Sequence, residues 1–98
     1  MKRKIIILGS TGSIGMTTIK IVLKNKKIFD VILLTANKNY VKLLSQAKTL
    51  KCKNIIVFDK KNFFKAKVIN KNKNIKIFNT VKDFLKNQKN KVDYTMCA

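Results

Sequence analysis

The sequence contains no histidine and no glutamate, and its acidic side chains are four aspartates that lie far apart in the chain. They are Asp30, Asp59, Asp83 and Asp93. Histidine is the side chain that proteins use most often as a metal ligand and as a general base near neutral pH. A divalent cation such as Mg²⁺ or Mn²⁺ prefers several carboxylate oxygens held together. The composition therefore excludes a nucleophilic triad built on histidine, and it offers no local metal site.

Cysteine is scarce, proline is absent, and long apolar runs are missing. The two cysteines, Cys52 and Cys97, make neither a disulfide framework nor a metal motif. We interpret Cys52 as structural or simply exposed, without a function of its own. No apolar run approaches the roughly 20 residues that cross a bilayer, so we expect no membrane segment. The start of the chain is basic and then apolar, like a signal peptide. Its apolar part is too short and continues directly into a glycine turn, so we interpret it as a strand.

The charge is strongly unbalanced, with 23 lysine and arginine residues and a formal net charge of +19. Such a charge is typical of a nucleic-acid-binding module, which stays open as an alternative. The lysines, however, are spread along the whole chain, and aromatic residues are not interleaved with them. The phenylalanines stand at strand and helix positions where we expect burial. We therefore interpret the charge as a solvated surface and expect no nucleic-acid partner.

Short apolar runs alternate with helical patterns along the chain. The predicted strands are Lys4–Leu8, Asp30–Ala36, Asn54–Phe58, Ile75–Phe78 and Val92–Ala98. The predicted helices are Ser13–Lys24, a helix that Asn39 caps and that runs to about Leu50, Lys61–Ile69, and Val81–Lys89 with Thr80 as its cap. This alternation favours βαβ units. We predict that residues 1–98 form one α/β domain, a Rossmann-like doubly wound parallel sheet with helices on both faces.

The apolar spacing in each helix also predicts which side chains face the sheet. For the four helices in order, the expected buried positions are Ile14, Thr18, Ile21 and Val22; Val41, Leu44 and Ala47; Phe64, Ala66 and Val68; and Val81, Phe84 and Leu85. The sequence ends in or just after the last predicted strand, with no helix to cover it. We therefore expect a sheet that is incomplete at its C-terminus and a chain that is a fragment of a longer protein.

The three glycines of the chain all lie in the segment Gly9-Ser10-Thr11-Gly12-Ser13-Ile14-Gly15. A strand, a glycine turn and a helix in succession present backbone amides to a phosphate, and the partial positive charge of the helix N-terminus favours an anion there. The spacing is GxxGxxG, a variant of the dinucleotide fingerprint. We expect Gly9 to turn the chain, Gly12 to admit a pyrophosphate and Gly15 to permit close packing of the helix. The hydroxyls of Ser10, Thr11 and Ser13 would add donors.

The end of the second predicted strand distinguishes between the two nicotinamide cofactors. An NAD site places a carboxylate there to bind the ribose 2′-hydroxyl, whereas a 2′-phosphate needs positive charge. The residues at this point are Asn37, Lys38 and Asn39, and the nearest carboxylate, Asp30, is at the opposite end of the strand. The sequence therefore predicts binding of NADP(H).

The glycine segment, followed by Thr17-Thr18, closely resembles the N-terminus of 1-deoxy-D-xylulose 5-phosphate reductoisomerases. Two further segments are similar to that family: Leu34-Thr35-Ala36-Asn37-Lys38-Asn39, where the family often has Ala-Gly-Lys-Asn, and the ending Val92–Ala98. The resemblance implies an NADPH-binding portion of an enzyme that reduces and rearranges 1-deoxy-D-xylulose 5-phosphate to 2-C-methyl-D-erythritol 4-phosphate in non-mevalonate isoprenoid biosynthesis.

By this resemblance the cofactor-binding residues are Thr11, Gly12, Ser13, Ile14, Asn37, Lys38 and Asn39. It also implies NADPH as cofactor, Mg²⁺ or Mn²⁺ in the full-length enzyme only, a sugar phosphate substrate, a cytoplasmic homodimer, and no catalytic or metal-binding residue within these 98 positions. Asn37 departs from the glycine that the family usually has. Another GxxGxxG dehydrogenase, of the semialdehyde dehydrogenase type, stays open as an alternative.

Overall fold

The computed structural model of the protein describes residues 3–87 and 94–97. Its strands are β1 (Arg3–Leu8), β2 (Phe29–Ala36), β3 (Asn54–Val57), β4 (Lys76–Phe78) and β5 (Tyr94–Cys97). Its helices are α1 (Ser13–Lys24), α2 (Tyr40–Leu50), α3 (Lys60–Ile69) and α4 (Val81–Asn87). Every predicted element is confirmed, with boundaries that differ by at most one residue within the described ranges. Positions 88, 89, 92, 93 and 98 of the last two predictions lie outside those ranges.

The strands form one parallel sheet in the order β4-β3-β2-β1-β5. The chain therefore steps outward from β1 to β4 on one side and then returns to place β5 on the other side of β1. Such a reversal next to β1 is a topological switch point, and ligands of open α/β sheets bind at the carboxyl ends of the strands there. The predicted Rossmann-like parallel sheet is confirmed, and β1 lies at its switch point.

Helices cover both faces of the sheet. Buried side chains of α1, α2 and α3 pack with alternate residues of β1, β2 and β3 in one cluster, while Phe84 of α4 packs with Ile6, Ile32, Leu33 and Ile56 in another. The pairing of β1 with β2 shifts register between Ile5 and Ile6, which places Ile32 and Leu33 on the same face. The helices α1 and α2 pack on the same face of the sheet, and Gln46 of α2 forms hydrogen bonds to the glycine turn.

The predicted buried faces of the helices are only partly correct. The residues that the helices bury are Gly15, Ile19 and Val22 in α1, Leu43 and Ala47 in α2, Ala66 in α3 and Phe84 in α4. Of these, Val22, Ala47, Ala66 and Phe84 were predicted. Ile14, Ile21, Val41, Phe64, Val68, Val81 and Leu85, all expected to be buried, are exposed. Three of the buried positions carry glycine or alanine, and their small size lets the helix backbone approach the sheet. The apolar spacing predicted both alanines but missed Gly15, Ile19 and Leu43.

The predicted helix caps are confirmed. Asn39 accepts the backbone N–H of Lys42 at 3.2 Å, and Thr80 accepts that of Asp83 at 3.1 Å. Each bond satisfies one of the amides that a helix N-terminus leaves without an intrahelical partner. Between residues 3 and 87 no helix is long and apolar enough to cross a membrane.

Candidate functional site

The turn that follows β1 has a backbone shape that favours glycine at position 9. Gly9 has φ of 69°, in the left-handed region where a side chain is disfavoured. Gly12 is the N-cap of α1 and has no side chain to accept the first amides of the helix. The turn is closed by a hydrogen bond from Gly12 N–H to Gly9 O at 3.2 Å. The expectation that Gly9 turns the chain sharply at the end of the strand is confirmed.

Packing within the protein requires glycine at position 15 but not at position 12. A Cβ atom built at Gly15 would lie 2.6 Å from Ser10 Cα and 2.7 Å from Ser10 C, so no side chain fits there. This confirms close packing of α1, although the contact is with the turn itself. A Cβ atom at Gly12 would meet Gly9 O at an ordinary 3.6 Å. Nothing in the described part of the chain therefore requires glycine at position 12.

The N-terminus of α1 presents backbone amides without partners. The first internal bond of this helix is from Met16 N–H to Gly12 O at 2.8 Å. Among the described residues, no acceptor is found for the amide hydrogens of Thr11, Ser13 and Ile14. Thr11 is half-buried, and Ser13 and Ile14 are exposed. Amides that converge at the positive end of a helix form an anion site.

Ser10 does not contribute to that site, and the prediction that its hydroxyl binds phosphate is wrong. The residue is fully buried. Its Oγ donates to Gln46 Oε1 of α2 at 2.8 Å, and its backbone O accepts from Gln46 Nε2 at 2.9 Å. Gln46 lies 36 positions after Ser10 in the chain, and no local signal in the sequence pairs it with the turn. The hydroxyl is therefore used to hold the turn.

Thr35 near the end of β2 holds the same turn from the neighbouring strand. Its Oγ1 accepts the N–H of Gly9 at 2.9 Å, and its backbone O accepts the N–H of Ser10 at 2.9 Å. Sequence reasoning assigned Thr35 no role of its own. The side chain is buried, and a polar residue within the buried apolar run Val31–Ala36 was a usable signal for a specific hydrogen bond.

The second predicted segment, Asn37–Asn39, lies directly after β2, at the same edge of the sheet as the glycine turn. All three side chains are exposed. The backbone O of Asn37 accepts the N–H of Asp59 at 2.9 Å, which ties this segment to the end of β3. Asn39 uses Oδ1 to cap α2, so its amide nitrogen is the part that can still bind a ligand. The sheet thus brings both predicted segments to the ends of adjacent strands.

The charges near this edge are mostly positive. Asp59 caps α3, and its Oδ2 accepts the backbone N–H and the side-chain Nδ2 of Asn62 at 3.1 Å and 2.6 Å. These hydrogen bonds lower the pKa of Asp59, and the nearby charges of Lys38 and Lys61 lower it further. Lys38 forms no ion pair with a described carboxylate, although Asp59 feels its charge. Its ammonium group can therefore meet an anionic ligand.

The remaining candidate groups do not join the site. Cys52 is buried at the far end of α2 and donates its Sγ–H to Asn54 O at 3.1 Å, and burial raises its pKa to about 12. It is therefore a structural thiol, which is one of the two interpretations that the sequence left open. Phe58 and Phe64 are exposed, contrary to the expectation that the phenylalanines are buried. Across residues 3–87, no three histidine, cysteine or carboxylate side chains come together as metal ligands.

Comparison with known families gives one consistent result. The family model of 1-deoxy-D-xylulose 5-phosphate reductoisomerase matches residues 5–98. A reductoisomerase of that name from Pelagibacter ubique is 46% identical over 98 residues, which are 98% of this chain and 25% of that protein. One from Buchnera aphidicola of Schizaphis graminum is 43% identical over 74 residues, covering 76% of this chain and 19% of that protein. The chain thus spans about a quarter or less of the curated relatives that it matches.

Solved structures show the same likeness. The reductoisomerase from Zymomonas mobilis in complex with NADPH superimposes with a TM-score of 0.75 and 29% identity, covering 80% of this chain and 21% of that chain. A DOX-P reductoisomerase with fosmidomycin and magnesium gives a TM-score of 0.80 at 24% identity, covering 95% of this chain and 24% of that chain, and supports the fold alone. These matches do not favour a semialdehyde dehydrogenase or a nucleic-acid-binding module.

Proposed function

This chain belongs to the 1-deoxy-D-xylulose 5-phosphate reductoisomerase family, and from that premise we propose that it binds the phosphates of NADPH at the glycine turn. The observation that carries the proposal is the set of unpaired amides of Thr11, Ser13 and Ile14 at the start of α1. A pyrophosphate placed there would accept these amides. The open space at Gly12 would let it approach the backbone, which explains a glycine that internal packing does not require.

The segment Asn37–Asn39 would bind the adenosine ribose and its 2′-phosphate. Lys38 supplies the positive charge, and the amide groups of Asn37 and Asn39 are exposed and able to hydrogen-bond. No carboxylate ends β2, so the ribose hydroxyl contact typical of NAD sites has no acceptor there. Asp59 follows the adjacent strand and already accepts two hydrogen bonds from Asn62. NADPH is therefore favoured over NADH.

The chemistry of the family follows as the wider proposal. A bound NADPH would supply the hydride for reducing and rearranging 1-deoxy-D-xylulose 5-phosphate to 2-C-methyl-D-erythritol 4-phosphate, an early step of non-mevalonate isoprenoid biosynthesis. Within residues 3–87 the chain holds the cofactor's phosphates and offers no metal-ligand cluster. Metal binding, sugar phosphate binding and catalysis would then use residues outside this sequence. A cytoplasmic homodimer is the assembly that we propose for the longer enzyme.

The proposal is tested by titrating the chain with NADPH and NADH and following cofactor fluorescence. We expect tighter binding of NADPH, and we expect Lys38→Met to reduce the NADPH preference about five- to tenfold, the effect of losing about 1–1.4 kcal/mol of a charge-assisted contact. Lys48→Met removes an exposed lysine from the last turn of α2 and is the matched control for the general positive charge. It should leave the preference unchanged.

Two results would overturn the proposal. One is equal binding of NADPH and NADH by the parent chain, which would remove the 2′-phosphate site. The other is salt-sensitive binding of DNA or RNA together with no NADPH binding, which would favour the nucleic-acid alternative.

A further inference from the structure

Ser10 is anchored at every polar group it possesses. Its N–H donates to Thr35 O at 2.9 Å, its O accepts from Gln46 Nε2 at 2.9 Å, and its hydroxyl donates to Gln46 Oε1 at 2.8 Å. The residue is fully buried although it lies within a glycine-rich turn. It is followed directly by Thr11, Gly12 and Ser13. The position of Ser10 therefore sets where the next amides of the chain point.

The Gln46 side chain fits this task through both ends of its amide. The backbone O of Ser10 can only accept, so it selects the NH₂ group of Gln46, and the carbonyl end then faces the hydroxyl of Ser10. Two bonds from one planar group fix both the position and the orientation of Ser10. Gln46 itself is held on α2, whose neighbouring residues Leu43 and Ala47 are fully buried in the core.

We propose that Gln46 is a positioning residue for NADPH: by clamping Ser10 it presets the amides of Thr11, Ser13 and Ile14 for the pyrophosphate. The proposal rests on the function proposed above. Without the clamp, the buried O of Ser10 loses its partner, and a turn containing two flexible glycines gains other conformations. A ligand then binds only the fraction of molecules in the competent conformation, so its apparent affinity falls by that fraction. Gln46 thus acts on the cofactor without touching it.

The test variant is Gln46→Met, which keeps the length and the helix propensity of the side chain but removes both hydrogen bonds. Thr49→Val, one turn further along the exposed side of α2, is the matched control. We expect the dissociation constant for NADPH to rise about tenfold in Gln46→Met, equivalent to about 1.4 kcal/mol, and to change less than twofold in Thr49→Val. Ser10→Ala removes the hydroxyl bond and should give a smaller loss.

A double-mutant cycle separates positioning from a merely structural role. Because Ser10 and Gln46 act through each other, the double variant Ser10→Ala/Gln46→Met should bind NADPH no more weakly than Gln46→Met alone. Binding is measured at a temperature where urea titrations show each variant to be folded. In a chimera in which residues 1–98 replace the matching segment of the Pelagibacter relative, Gln46→Met should raise KM for NADPH and leave kcat and the KM for the sugar phosphate unchanged.

Each outcome has a defined meaning. An unchanged NADPH dissociation constant in folded Gln46→Met, or losses that simply add in the double variant, overturns the positioning role even if the variant is less stable. If Gln46→Met does not fold, Ser10→Ala decides by the same comparison, because it keeps the second hydrogen bond. Failure of the parent chain to bind NADPH overturns the proposed function instead, so the two failures are distinguishable.

Discussion

Replacing Gly15 by alanine and, separately, Gly12 by alanine should separate the structural glycine from the ligand-binding glycine. At Gly15 the new Cβ would lie 2.6 Å from Ser10 Cα and 2.7 Å from Ser10 C. Carbon atoms in good contact are about 3.5–4.0 Å apart, so helix and turn would have to separate by roughly 1 Å. Both atoms belong to the backbone of a residue anchored by Thr35 and Gln46, and the turn cannot yield easily.

The expected loss can be worked from these contacts. Overpacking of a tight site costs about 1–3 kcal/mol, and more where the backbone cannot relax. The gain in helix propensity from glycine to alanine is at most about 1 kcal/mol. Gly15→Ala should therefore lower the free energy of unfolding by about 2 kcal/mol. At Gly12 the Cβ has an ordinary contact of 3.6 Å and φ is −76°, so Gly12→Ala should change it by less than about 0.5 kcal/mol.

The assay is urea denaturation followed by far-UV circular dichroism, with free energies extrapolated linearly to water, and NADPH titration of each folded variant. Gly12→Ala should be as stable as the parent and still lose NADPH affinity, because its methyl group would occupy the space beside the unpaired amides. Gly15→Ala with the parent's stability would refute the packing argument. Undiminished NADPH affinity in Gly12→Ala would refute the position proposed for the pyrophosphate.

Three further predictions concern single groups. Thr35→Val keeps the shape of the side chain but leaves the N–H of Gly9 without its acceptor, so urea titration should show a loss of about 1–3 kcal/mol. Burial raises the pKa of Cys52 to about 12 from 9.0, so the neutral thiol stabilises the fold fully below pH 9 and less as pH rises toward 12. When the chain is treated with iodoacetamide at pH 8, peptide mapping should find Cys52 modified only if the chain is unfolded in urea. Hydrogen bonds from Asn62 hold the pKa of Asp59 below 3.8, so Asp59 stabilises the fold above that pH and less as pH falls. When stability is measured at decreasing pH, Asp59→Asn should lose less stability than the parent chain does.

The order and type of all elements could be predicted because the signals are local. Continuous apolar runs mark buried parallel strands, and Asn39 and Thr80 mark helix starts through bonds to amides three residues away. The register shift between Ile5 and Ile6 has no such signal, because it depends on how two strands pair. The buried faces of the helices were predicted only in part for a related reason: whether Ile19 or Ile21 of α1 packs against the sheet depends on how the helix docks on the strands.

The candidate site shows the same division between local and distant causes. The glycine spacing and the absence of a carboxylate after β2 are patterns of a few neighbouring residues, so both could be recognised in the sequence. They identified the glycine turn and Asn37–Asn39, the two segments that the sheet brings to one edge. The partner of the Ser10 hydroxyl could not be predicted, because a serine that binds phosphate and a serine that bonds to Gln46 look identical in the sequence. Only the pairing of α2 with the turn decides between them.

The fold requires two of the three glycines, each for a different physical reason, and this bears on what the same turn indicates in related chains. Gly9 is required by its backbone angle, and Gly15 by the backbone of Ser10 against it. Neither requirement involves a ligand, so a protein that uses the turn only as a connection would keep both. Gly12, by contrast, has an ordinary φ of −76° and room for a side chain, and it lies beside unpaired amides. A glycine at that position therefore argues for phosphate binding more strongly than the complete GxxGxxG spacing does.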